Sequence, residues 1–277
     1  MKSFYLIILL PLLIFSCGDD SFKKVEALGN FRLLGILADS PEVDPNGDLS
    51  VDVQVLVSDI DGGGRTIQGT VQTCIDPGIS FGAQVNCDYD PTSIPINYDI
   101  DFQNDAGLGA ANLYTGLTNT LTVNVPATLL TGRSSRDQFN GVGYIVIFKF
   151  TVDGKEVKAF KRIVATNRGA LNQNPVISDL LLNSASIVTF PTNGDELLVT
   201  SDTPETYSYR TSDDVTEVRT ESLQVAWYTS QGEFTLAKTN IDESTKYDSY
   251  SSSGASLVMA IVRDERGGLD FIIKRFP

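Results

Sequence analysis

The sequence predicts an all-β protein with two successive β-sandwiches, and three observations lead there. Apolar residues alternate with polar ones instead of recurring at helical spacing. The alternating runs are short and are punctuated by turns rich in Gly, Asn, Asp and Pro. No stretch carries a long helical period, so there is no helical layer to cover a parallel sheet. At 277 residues, 42% hydrophobic and 20% charged, the chain has the composition of a globular protein with room for one large or two modest domains.

The opening is of a different kind. Lys2 supplies a positive start, and Phe4 to Phe15 is an unbroken apolar run of twelve residues, well short of the about 20 that cross a bilayer as a helix. It reads as a signal peptide over residues 1–16. An ordinary secretory peptide needs no cysteine at its cleavage site, yet Ile14-Phe15-Ser16 runs straight into Cys17. This pattern resembles the lipobox of bacterial lipoproteins. The resemblance implies cleavage before Cys17, diacylglycerol on its sulfur and usually a further acyl chain on the new amino group. Several acyl chains anchor far more firmly than one, since each buried methylene adds about 0.8 kcal/mol. Gly18, in place of the Asp that retains some lipoproteins at the inner membrane, favours the outer membrane, facing periplasm or cell exterior.

Residues 17–30, "CGDDSFKKVEALGN", are polar and short and read as a flexible tether behind the anchor. The first domain is expected over residues 31–166. Its clearest strand is "DLSVDVQVLVSD", where Leu49, Val51, Val53, Val55 and Val57 point one way and Ser50, Asp52 and Gln54 the other. The preceding "SPEVDPNGD" packs two prolines and an Asn-Gly into a turn. Further strands are expected at "FRLLGILA", "TVQTC", "TLTVNVP", "YIVIFKFTV" and "KAFKRIVAT", the last two joined by an Asp153-Gly154 hairpin. Between Cys74 and Pro126 the pattern loosens into a decorated loop region. Cys74 and Cys87 are the only thiols left once Cys17 is acylated, and in an oxidising compartment such a pair reads as a disulfide stapling that region.

The β pattern breaks in the polar stretch 167–174, read as a linker, and resumes over residues 175–277. Gly169 argues for a flexible joint and a limited polar interface, with protease cutting first near Arg168. Burial of Ala170 and Leu171 would instead make the joint rigid. Strands are expected at "VISDLLLN", "DELLVTS", "TYSYRTS", "ESLQVAWYTS", "EFTLAKT", "SLVMAIVRD" and "LDFIIKRF", with turns at Gln231-Gly232 and Gly267-Gly268. Trp227, the only Trp, lies in line with Leu223 and Val225 and is expected in the core. A Trp on such a strand resembles the core Trp of immunoglobulin-like domains, and "SPEVDPNGDLSVDVQVLV" resembles the opening of many bacterial surface immunoglobulin-like modules. The chain is thus similar to bacterial lipoproteins built from tandem immunoglobulin-like or fibronectin-like sandwiches, most of which have no assigned activity.

Charge and residue types narrow the function. A net charge of −14 repels phosphate backbones, which excludes nucleic acid as an expected partner. The chain has no histidine, hence neither the commonest general base nor the commonest metal ligand. "SDIDGGGR" offers Ser58, Asp59 and Asp61 to a calcium ion, but Gly62 stands where a further ligand belongs, and a Gly-rich turn is preferred. "QNDAGLGAANL", with Gly107 and Gly109, lacks the third Gly of a dinucleotide loop. The charges of "VRDERGGLD", from Arg263 to Arg266, are expected to be solvated and mutually paired at a hairpin end, rather than to form a recognition fork. Tyr247 and Tyr250 in "STKYDSYSSSG" are expected in a solvated loop. No catalytic, cofactor-binding or metal-ligating residue is therefore expected. The expected function is non-enzymatic binding or structural support in the cell envelope. The membrane is reached through the lipid anchor, and a protein or glycan of the envelope is the partner. The alternative is a carboxylate-dependent hydrolase, carbohydrate-active for example, whose mark would be a cleft holding two carboxyl groups within about 10 Å, one with a raised pKa.

Overall fold

The computed structural model describes residues 26–63, 65, 67–77, 87, 113–249 and 255–277, with the backbone of 92–98. The leader with Cys17, most of the tether, Gly107, Gly109 and Tyr250 lie outside these residues. The chain is all-β, 53% strand and 4% helix. In the first half the strands are β1 (Arg32–Ala38), β2 (Glu42–Val43), β3 (Ser50–Ser58), β4 (Ile67–Ile75), β5 (Thr92–Tyr98), β6 (Thr115–Leu117), β7 (Leu121–Asn124), β8 (Val142–Val152) and β9 (Lys155–Ala165), with one short helix, α1 (Ser135–Asn140). In the second half they are β10 (Ile177–Leu182), β11 (Ala185–Ser186), β12 (Glu196–Ser201), β13 (Thr206–Arg210), β14 (Thr216–Thr220), β15 (Gln224–Thr229), β16 (Glu233–Phe234), β17 (Lys238–Asn240), β18 (Thr245–Asp248), β19 (Ser256–Arg263) and β20 (Leu269–Phe276).

Each half carries two larger sheets. In the first, β1 and β3 pair with β6 and β7 against β3, and a second sheet runs β2-β9-β8-β4-β5. Val51, Val53, Val55 and Val57 of β3 meet Val146, Phe148, Phe150 and Ile163 of the other sheet in one apolar cluster, an arrangement consistent with a β-sandwich. The alternation read from "SVDVQVLV" is the cause, since residues two apart share a face. Asp153 and Gly154 both take positive φ, 51° and 72°, and close the β8–β9 hairpin as the sequence implies. In the second half the sheets run β11-β10-β12-β18-β16 and β17-β15-β19-β20, with β13 and β14 as a separate two-stranded ribbon. Leu180, Leu197, Val225, Trp227, Tyr247 and Val258 build its core. Trp227 is 1% exposed, and its Nε1 donates to Thr239 Oγ1 at 3.0 Å.

Two strands carry unbroken apolar runs, Tyr144–Phe148 in β8 and Leu257–Val262 in β19, and both runs are buried on both faces. In β8, Ile145 and Ile147 turn away from the first core onto the disulfide between Cys74 and Cys87, whose Cα atoms stand 5.8 Å apart. In β19, Val258, Ala260 and Val262 enter the second core, while Leu257, Met259 and Ile261 point the other way and meet Leu28, Leu34 and Leu56 of the first half. A third apolar cluster therefore joins the halves. Fully burying side chains of this size stabilises by about 1.5–3 kcal/mol each, so the joint is not the limited polar interface that linker composition suggested. Residues 26–30, read as the end of a tether, belong to the same body. Leu28 N donates to Thr229 O at 2.9 Å, and Thr229 N to Glu26 O at 3.1 Å.

Tyr247 also departs from expectation. It lies on β18 rather than in a solvated loop and is fully buried, its ring edge-on to Phe190 and Phe234. Its hydroxyl donates to Gln231 O at 3.0 Å, so the polar tip is satisfied inside the core.

Candidate functional site

A buried polar cluster lies where the halves meet. Glu42, on the short β2 that pairs in parallel with the end of β9, is its centre. Arg168 Nη2 donates to both Glu42 oxygens at 2.6 and 2.7 Å, and Arg266 Nη2 donates to Oε2 at 2.8 Å. The Asn172 backbone N–H adds a further bond to Oε2, also at 2.8 Å. One carboxylate thus faces two guanidinium groups and an amide, all buried. The rings behind them extend the cluster, with both guanidiniums over Tyr207 of the β13–β14 ribbon, Arg266 at 4.6 Å and Arg168 at 5.6 Å.

The Arg263–Leu269 turn is the second-half side of the joint. Asp264 Oδ1 accepts from the backbone N–H groups of Arg266 and Gly268 at 2.8 and 2.6 Å, and Oδ2 accepts from Asn172 Nδ2 at 2.9 Å. Gly268 is required here, since a Cβ would collide with the Asp264 carboxylate. Glu265 accepts from Tyr207 Oη at 2.9 Å, and Arg263 Nη2 donates to Leu34 O. The expectation that these charges are solvated and paired with one another is therefore overturned. Arg263 and Arg266 are paired with Leu34 and Glu42, far away in sequence, and buried Asp264 both caps its own turn and reaches Asn172, while Glu265 alone stays exposed, because the turn packs against β1, β2 and the linker.

The linker is fixed by the same groups. Arg168 and Asn172 are buried, whereas Ala170 is exposed and Leu171 half-buried, so polar side chains rather than these two apolar ones hold the joint. Asn174 bridges the halves, donating to Ala38 O at 2.7 Å and accepting from Leu269 N at 3.0 Å. The ribbon closes on α1: Asn140 Nδ2 donates to Arg210 O at 2.7 Å, Arg210 N returns a bond to Asn140 Oδ1 at 2.8 Å, and the Arg210 guanidinium covers Phe139 at 4.5 Å.

Beside the ion cluster a cleft of about 290 Å³ opens between β1, β9 and the 263–269 turn. Leu33, Leu34, Ile36 and Leu269 supply apolar walls, Lys161 and Arg263 supply cations, and Asp264 supplies one carboxylate. Lys161 stands at an inward position of β9, in line with Ile163 and Ala165, and is 7% exposed. Its Nζ donates to Gly267 O. Burial, opposed in part by Asp264 and aided by Arg263, pulls the Lys161 ammonium down to about 8. A larger groove of about 540 Å³ lies elsewhere along the seam, but its one charged side chain, Arg275, is tied to Thr115 O at 2.8 Å.

The remaining sequence candidates fall elsewhere. Asp59 is held by Arg65, whose Nε and Nη2 donate to it at 2.7 and 2.9 Å, and Ser58 Oγ pairs with Thr115 Oγ1 at 2.8 Å. The loop read as a calcium candidate thus spends its buried carboxylate on a guanidinium. Among the carboxyls, Glu221 is pushed up from the ordinary range, mainly by burial, with Asp264 and Glu205 adding repulsion. Sequence reading missed Glu42, Arg168 as a charge partner, and Lys161. A signal existed only for Lys161, a cation at an apolar place in the alternation of "KAFKRIVA".

No family model matches the chain. No curated protein matches it either. Among solved structures it is similar to the YadV chaperone, with 14% identity, 88% of this chain and 100% of that chain covered, and a TM-score of 0.23. It is also similar to dimeric latent PorU from Porphyromonas gingivalis, with 9% identity, 90% of this chain covered and a TM-score of 0.22, spanning 24% of that protein. At these scores neither likeness bears on fold or function.

Proposed function

We propose that this protein is a lipid-anchored module of the bacterial cell envelope, non-enzymatic, made of two immunoglobulin-like sandwiches over residues 31–166 and 175–277 that present binding loops as one stiff body. The observation that carries the reading is the use made of the buried charges at the joint. Glu42, Arg168, Arg266 and Asp264 are consumed in holding the halves together. Such a strut suits a protein that must keep a fixed shape at a distance from the membrane. The anchor is argued from the leader and Cys17, the partner from the exposed loops, with a protein or glycan of the envelope as its class.

One observation favours the alternative, a carboxylate-dependent hydrolase: Glu221 has a raised pKa and acidic neighbours, as a general acid needs. Against it, Glu221 Oε1 accepts from Glu205 N at 3.0 Å, Asp264 is saturated by three donors and Glu205 meets Arg266 at 3.4 Å, so these carboxyls brace the ribbon. The test is metabolic labelling with an alkyne fatty acid in a bacterial host, followed by membrane fractionation. Wild-type chain should carry label and sediment with membranes, and Cys17→Ser should lose the label and appear soluble or as uncleaved precursor. Labelled, membrane-bound Cys17→Ser would overturn the anchoring.

A further inference from the structure

We propose that the cleft between β1, β9 and the 263–269 turn binds a small carboxylate with a short apolar tail, its anionic head on Lys161 Nζ and its tail among Leu33, Ile36 and Leu269. The inference needs only the seam and is independent of the membrane anchor.

It starts from an anomaly in β9. The inward positions run Ala159, Lys161, Ile163 and Ala165, so the pattern calls for an apolar side chain where Lys161 stands. A buried ammonium without a counter-charge destabilises a fold, and such charges are normally paired or serve a site. Lys161 has a single acceptor, Gly267 O, and no ion pair among the described residues. Asp264, which also lines the cleft, offsets the burial of the ammonium only in part and makes no ion pair with it, its two oxygens accepting instead from Arg266 N, Gly268 N and Asn172 Nδ2. A second cation, Arg263, lines the same cleft. With two cations against one carboxylate, the cleft is a local positive site in a chain of net charge −14, and Lys161 Nζ has donors still to be filled.

The walls point to the rest of the ligand. The β1–β3 register shifts between Leu33 and Gly35, and this bulge frees Leu34 O to accept from Arg263 Nη2. Gly35 leaves room for Leu269, whose Cδ1 would lie 2.8 Å from a Cβ placed there. Apolar walls with one or two convergent charges are the composition of small-molecule sites, and about 290 Å³ sits at the small end of their range.

The test is titration of purified, isotope-labelled protein with sodium hexanoate, 1-hexanol and inorganic phosphate, read by amide NMR shifts. Hexanoate should give saturable shifts at Ala159–Arg162 and Gly267–Leu269, at least tenfold tighter than hexanol or phosphate. Lys161→Met should lose hexanoate binding by at least tenfold while unfolding at the same temperature as wild type or higher, which separates a lost site from a lost fold. Absence of saturable shifts in wild type, phosphate or hexanol binding as tightly as hexanoate, or unchanged hexanoate binding by Lys161→Met would each overturn the proposal.

Discussion

Glu42 and Arg168, separated by 126 positions in the chain, meet as a buried ion pair in which one guanidinium nitrogen donates to both carboxylate oxygens, and Arg266 adds a second cation to the same carboxylate. Removing the shared anion would leave two buried guanidinium groups opposed to each other. Glu42→Gln should therefore destabilise the protein by about 3–5 kcal/mol, read as a fall in the urea midpoint. Because the loss is that of an uncompensated charge, Glu42→Leu combined with Arg168→Met should be less destabilised than Glu42→Leu alone. Equal midpoints for Glu42→Gln and wild type would show that the pair holds nothing.

Lys161 sets a pH dependence whose sign follows from burial. Its folded value is about 8 against 10.5 when unfolded, so between those limits the unfolded chain binds more protons. Stability contributed at this site is therefore lowest below pH 8 and rises as pH rises toward 10.5, by about 3 kcal/mol in all. Lys161→Met should be more stable than wild type at pH 7, and the difference should shrink between pH 8 and 10. A difference that grows with pH in that window would contradict the assignment.

The disulfide can be weighed in the same way. Cys74 and Cys87 are 13 positions apart, and closing such a loop stabilises by about 3 kcal/mol in the chain-entropy model. The Cys74→Ala, Cys87→Ala double variant should lose about that much in urea, with added loss from the packing of both sulfurs on Ile145 and Ile147. Intact mass without reductant should lie two hydrogens below the reduced form. Full alkylation of both thiols in the native protein would remove the staple.

The strands of both cores were legible because alternation is local: Val51 to Val57 mark a face without knowledge of what covers it. The turn at Asp153-Gly154 was legible for the same reason, since positive φ at both positions is a demand on those two residues alone. The second faces of β8 and β19 were only half legible. Unbroken runs such as "YIVIF" and "LVMAIV" announce burial on two sides, but the partners, a disulfide in one case and the first half in the other, come from far along the chain. Tyr247 was lost because β18 has four residues, too few for alternation to stand out among serines. Helix α1 was missed for a like reason, although Ser134 caps it by accepting from Asp137 N at 3.1 Å. The Glu42 cluster was not legible at all, because a salt bridge spanning 126 or 224 positions leaves no pattern in local sequence.

Differential scanning calorimetry bears most directly on the central claim, that the two halves are one cooperative body joined by the Leu34–Leu56–Met259–Ile261 cluster and the Glu42 strut. Wild-type protein should unfold in a single transition whose calorimetric and van't Hoff enthalpies agree, and Glu42→Gln should lower that transition as a whole. Two resolved transitions in wild type, or a Glu42→Gln profile in which one half melts early while the other keeps its wild-type temperature, would show that the halves stand independently and that the seam is only a contact.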